Sequence, residues 1–70
     1  MKKYIVAFMT FFENVIKLEQ FESTEGRFAM MLMMKKQGWD VDGLSSEMTD
    51  EQIMQFAFDS DCVIGYIEIT

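Results

Sequence analysis

Residues 3–21, "KYIVAFMTFFENVIKLEQF", decide how the chain is read. The first ten are dominated by β-branched and aromatic side chains with no helical period, so they are predicted to form a strand that is apolar on both faces. Such a strand is central in its sheet or covered on its second face. Glu13 and Asn14 are expected to form a two-residue turn, because asparagine tolerates positive φ. Beyond them Ile16, Leu18 and Gln20 alternate against Val15, Lys17, Glu19 and Phe21, the pattern of a half-exposed antiparallel partner.

A first helix is predicted over residues 24–37. Ser23 or Thr24 is positioned to cap it, Glu25 lies in its first turn, Lys35 and Lys36 oppose its dipole, and Gly38 stands at the C′ position. Its middle, "FAMMLMM" at residues 28–34, is seven apolar residues in a row. At 100° per residue, Ala29, Met30, Met33 and Met34 share a charge-free arc with Gly26 and Gln37, which is the better core face. Phe28 and Leu32 fall among Glu25, Lys35 and Lys36.

The stretch "GWDVDGLSSEM", residues 38–48, reads as a loop. Its "DVDG" resembles part of a calcium loop, but glycine stands where the first ligand should be and Thr49 where the closing glutamate should be, so calcium is rejected. Thr49 and Gln52 then form the capping-box pattern T-x-x-Q, with Met48 placed to staple onto Ile53. The second helix has a core arc of Ile53, Phe56 and Ala57, and leaves Met54 and Phe58 on the opposite side beside Asp50 and Glu51. Asp59, Ser60 and Asp61 break it. "CVIGYIEIT" closes the chain as a strand apolar on both faces, with Gly65 marking a bulge or a close contact. The order β-β-α-α-β specifies a single α+β domain over residues 1–70. Its two layers are a three-stranded antiparallel sheet and two helices packed on one face of it.

Half of the 70 residues are apolar, with seven phenylalanines and eight methionines. A domain of this size buries only about 60% of its unfolded surface, so some large apolar groups are expected to stay exposed or to be covered by another chain. A self-associating dimer would cover the free sheet face. Charge is uneven: all six bases lie at or before Lys36 with four acids, giving +2, whereas residues 37–70 hold eight acids and no base, giving −8. Such a half repels nucleic acid and anionic lipid and attracts a basic protein surface, besides keeping a greasy chain soluble.

A lone cysteine, Cys62, suits a reducing cytosol. Lys2 and Lys3 before an apolar run mimic a signal peptide, yet no small-residue cleavage site follows, so a first strand is the expectation. No apolar run approaches the roughly 20 residues that span a bilayer. The absence of histidine removes the usual base near neutral pH and the commonest metal ligand. The pairs Asp40/Asp42, Asp50/Glu51 and Asp59/Asp61 sit at loops and helix ends, where aspartate caps and turns chains. Cys62 lacks an activating histidine and reads as a small core residue. The four glycines form no phosphate loop, and the scattered bases form no nucleic-acid patch. The expectation is a non-enzyme without cofactor or metal.

What remains is recognition. Asp50, Glu51, Met54 and Phe58 have the composition of an acid-rimmed apolar patch that docks on a basic protein, with Asp40, Asp42, Phe28 and Leu32 as further candidate contacts. "YIVAFMTFFEN" and "EQIMQFAFDSDCVIGYIEI" resemble stretches of small T4-type tailed-phage inhibitors of host defence, nearest the Dmd-like antitoxins. The likeness covers about the first and last twenty residues. It implies a class, not a site: a phage protein in the host cytoplasm that blocks a host defence protein such as a nuclease. Two other readings stand beside it. In one the acids mimic nucleic acid, as in anti-restriction or anti-CRISPR proteins; in the other the chain is a self-associating structural or regulatory module.

Overall fold

A computed structural model describes residues 1–69. The chain forms β1 (Lys2–Thr10), β2 (Lys17–Ser23), α1 (Gly26–Lys36), α2 (Asp50–Asp59) and β3 (Cys62–Glu68). One antiparallel sheet has the order β2-β1-β3, so the most apolar strand is the central one. The register places Tyr4 opposite Phe21, Val6 opposite Tyr66 and Phe8 opposite Ile64, all on one face. Both helices pack there, and Ala29, Met30, Met33, Met34, Ile53 and Ala57 join Tyr4, Val6, Phe8, Cys62 and Ile64 in one buried cluster. The helices thus cover one face of the sheet, as the α+β reading expects.

The hairpin differs from its predicted form. β1 ends at Thr10 and β2 begins at Lys17, so residues 11–16 connect them in place of a two-residue turn at Glu13 and Asn14. The reason is register: the strands pair with Phe8 opposite Lys17, whereas a two-residue turn at Glu13 and Asn14 would set Phe8 opposite Glu19. On the other side of β1 the Phe11 N–H donates to the Asp61 carbonyl at 2.8 Å, which continues the pairing with β3 past Thr10. Phe11, Phe12, Val15 and Ile16 are therefore outside the ladder and exposed.

α1 starts two residues later than predicted. Its N-cap is Glu25, without a side-chain capping bond, because that carboxylate accepts from Arg27 Nε and Nη2 at 3.1 and 2.7 Å. Neither expected cap serves: Ser23 is buried at the end of β2, and Thr24 is exposed ahead of the N-cap. The other end matches the sequence pattern. Gly38 has φ 83°, its N–H donates to the Lys35 carbonyl, and the Trp39 N–H reaches back to the Met34 carbonyl, which is the Schellman closure that glycine at C′ permits. The methionine run resolves as its arc predicts: Met30, Met33 and Met34 are fully buried, while Leu32 is exposed.

α2 carries the full capping box. The Gln52 N–H donates to Thr49 Oγ1 at 3.2 Å, and the Thr49 N–H donates to Gln52 Oε1 at 2.9 Å. Ile53 and Ala57 are buried as expected, but Phe56 is only half-buried and Met54 also packs against the core. Asp61 ends the link to β3 with φ 62°, a left-handed conformation that aspartate tolerates better than most residues.

Tyr66 joins three elements. Its ring lies edge-on to Tyr4 at 5.4 Å and covers Gly26 at the first turn of α1, and its hydroxyl donates to an Asp50 carboxylate oxygen at the start of α2. That bond, with burial and the neighbouring charge of Asp50 adding to it, pushes the Tyr66 phenol up to about 12. Because the folded state holds this proton more tightly than the unfolded chain, the stability the bond contributes is complete below about pH 10 and is lost as pH rises through about 12. Titrating phenolate absorbance is expected to show the late ionisation of Tyr66. In Asp50→Asn that transition moves down toward the ordinary tyrosine range, and an unmoved transition would assign the shift to burial alone.

Candidate protein-binding surface

The six bases and twelve acids are unevenly distributed along the chain. Among the described residues the ion pairs are Lys2–Glu68, Arg27–Glu25 and Lys36–Glu19. Glu68 alone of the eight acids after Lys36 enters one of them, so seven acids, Asp40, Asp42, Glu47, Asp50, Glu51, Asp59 and Asp61, have no basic partner among the described residues. Their charge is available to steer a cationic surface.

The sequence-selected patch on α2 is divided by the fold. Asp50 is half-buried and engaged by Tyr66, and Met54 is half-buried against the core. Glu51 and Phe58 remain exposed. Asp40 and Asp42 serve the loop, where Asp40 Oδ1 accepts the Asp42 N–H at 2.9 Å in a local turn. Both side chains are otherwise at the surface. Phe28 and Leu32 come together as predicted from the helix arc, but the loop partly covers them: with Met31, Lys35, Val41 and Leu44 they line an apolar cleft of about 330 Å³. The Arg27 guanidinium lies 4.8 Å over the Phe28 ring and also donates to the Met48 carbonyl, tying α1 to that loop.

A second surface was not singled out from the sequence. Phe58, 55% exposed near the end of α2, meets Phe11 edge-on with ring centroids 5.4 Å apart. Phe12 beside them is 78% exposed. The chain neighbours of these aromatics are acids, Glu13 after Phe12 and Asp59 after Phe58, and the Phe11–Asp61 backbone bond brings Asp61 alongside. The result is an aromatic tip with an acidic rim. On its other side Phe12, Trp39 and Phe8 wall a cleft of about 380 Å³ that also includes Thr10, Glu13, Lys17 and Gln37. Phe8 and Trp39 are edge-on at 6.3 Å, and Lys17 Nζ donates to Gln37 Oε1 at 3.1 Å across the cleft. The signal for this tip was the paired Phe11–Phe12 ahead of the turn, which strand-like composition absorbed into β1.

Cys62 is fully buried, with its Sγ 3.5 Å from the Ser60 carbonyl. Burial first, and the charge of Asp61 second, push its thiol up from the ordinary range, the opposite of what a nucleophile needs. Among the described residues no three His, Cys, Asp or Glu side chains converge to hold a metal ion, and no helix is long and apolar enough to cross a membrane. Comparison with known protein families, with curated proteins and with solved structures finds no match to this chain.

Proposed function

We propose that this chain is a non-catalytic inhibitor of the phage anti-defence type, acting in the host cytoplasm by docking on a basic surface of a host protein such as a nuclease. The observation that carries the reading is the Phe11–Phe58 pair with Phe12, held out of the core and bordered by Glu13, Asp59 and Asp61. Large aromatics that contribute nothing to their own core are the side chains that supply most binding energy in protein interfaces. The acids around them raise the encounter rate with a positive surface and disfavour other partners. The contact surface is thus centred on the end of α2, with Glu51 and Phe58 retained from the original patch and Met54 given over to packing.

The immobilised chain is expected to capture one dominant protein from bacterial lysate, identified by mass spectrometry. Phe12→Asp combined with Phe58→Asp weakens that capture by at least about 30-fold, since truncating or charging a central aromatic costs about 2 kcal/mol or more. Both positions are exposed, so the circular dichroism spectrum is unchanged. Undiminished capture by this variant would remove the tip as the contact. Salt separates the rival nucleic-acid mimic: capture by the aromatic tip falls gently with ionic strength, whereas a mimic loses its partner steeply and fails when Asp40, Asp42, Asp59 and Asp61 are all changed to asparagine.

A further inference from the structure

The sheet face away from the helices carries Ile5, Ala7 and Met9 on β1, Leu18 and Gln20 on β2, and Val63, Gly65 and Ile67 on β3, as the register requires. Leu18 and Ile67 are 64% and 63% exposed. We propose that this face is a homodimer interface, covered in solution by the same face of a second copy of the chain.

The argument for a second copy starts from glycine at position 65. It has no positive φ, the β1–β3 register runs through it without a bulge, and a Cβ built there would meet nothing within 4 Å. Among the described residues Gly65 thus has neither the bulge nor the close contact expected from sequence. Glycine weakens a strand, and the single chain gains nothing from it here. Opposite it stands Ala7, the smallest side chain on β1. The two make a hollow row, with apolar depressions of about 250 and 340 Å³ that both include Ala7 and Gly65 in their walls. Leu18 flanks this row on β2, and Ile67 follows it on β3. A surface holding both hollows and protruding knobs is suited to an isologous contact, in which each copy fills the other.

Charge selects the same occupant. The register puts Lys3 opposite Glu22 on this face, so it carries one charge of each sign in a chain whose net charge is −6. The remaining acids lie elsewhere, and a basic partner would gain nothing by choosing this face. Two copies approaching through it bring their neutral sides together and keep their acidic helical sides apart. Three strands about 4.8 Å apart with seven paired positions at about 3.3 Å give a footprint of about 14 × 23 Å. With side-chain relief, two such faces bury about 1,000 Å² in all, the small end of specific interfaces. The dimer is accordingly expected to dissociate at micromolar dilution.

Sedimentation equilibrium of the purified full chain tests this. Across a dilution series the mass is expected to rise from 8.2 kDa toward twice that value. Leu18→Lys with Ile67→Lys buries unpaired charge in the contact and weakens association at least about 100-fold, while leaving the exposed fold and the aromatic tip unchanged. Gly65→Leu fills the hollow: the monomer stays folded, because space is free, and association weakens. A wild-type chain that remains at 8.2 kDa at several hundred micromolar would overturn the proposal. So would a dimer that survives the double lysine variant, or one that Gly65→Leu leaves intact.

Discussion

Gly26→Ala is expected to lower the melting temperature by about 10–20 °C, although alanine is the better helix former. A Cβ at this position would stand 2.0 Å from Tyr66 Cζ and 2.1 Å from Cε2, well inside van der Waals contact. The ring cannot swing aside freely, because Tyr4 packs against its edge and Asp50 accepts its hydroxyl. Overpacking of this kind costs about 1–3 kcal/mol, and a lost hydrogen bond to a charged group adds about 1.5–3 kcal/mol, against at most about 1 kcal/mol gained in helix propensity. The steric origin is checked by a double-mutant cycle. Removing the ring with Tyr66→Ala should make Gly26→Ala nearly harmless, and strictly additive effects would show that the two positions do not collide.

Phe8→Ala is expected to leave little folded protein at room temperature. Phe8 lies at the middle of the sheet, 1% exposed, with Trp39 edge-on to it. Truncating a buried phenylalanine costs about 3–5 kcal/mol, and a 70-residue domain has only about 4–10 kcal/mol of total stability. Urea unfolding measures the loss as a shifted midpoint. Met33→Leu provides the contrast. It keeps the volume of a fully buried side chain and is expected to cost less than about 1.5 kcal/mol, which would identify the methionine run as core filling.

These two sites also mark what the residues disclose on their own. Periodicity was informative wherever burial is one-sided: the arc of Ala29, Met30, Met33 and Met34 and the capping box at Thr49 and Gln52 are both present as the pattern implies. It failed where a distant group intervenes. Nothing local to Ser23–Gly26 indicates that Tyr66, forty residues on, requires a glycine at the first turn of α1. The hairpin failed because Glu13 and Asn14 are too weak a turn signal to fix register, and the strands pair with Phe8 opposite Lys17 instead of Glu19. The α2 patch was half legible. Helical geometry alone puts Met54 and Phe58 on one side, but only the position of the helix over the sheet decides that Met54 packs inward and Phe58 meets Phe11.

The pairing of β1 with β3 joins Tyr4 to Glu68, residues 64 positions apart along the chain. During synthesis on the ribosome the first strand therefore emerges with only the β2 hairpin for company, and its other edge stays vacant until β3 has followed. Completion of the sheet waits on β3, the last of its three strands in chain order. A premature stop anywhere before residue 62 would thus yield an aggregation-prone fragment with an open, greasy strand edge, not a shortened but working protein.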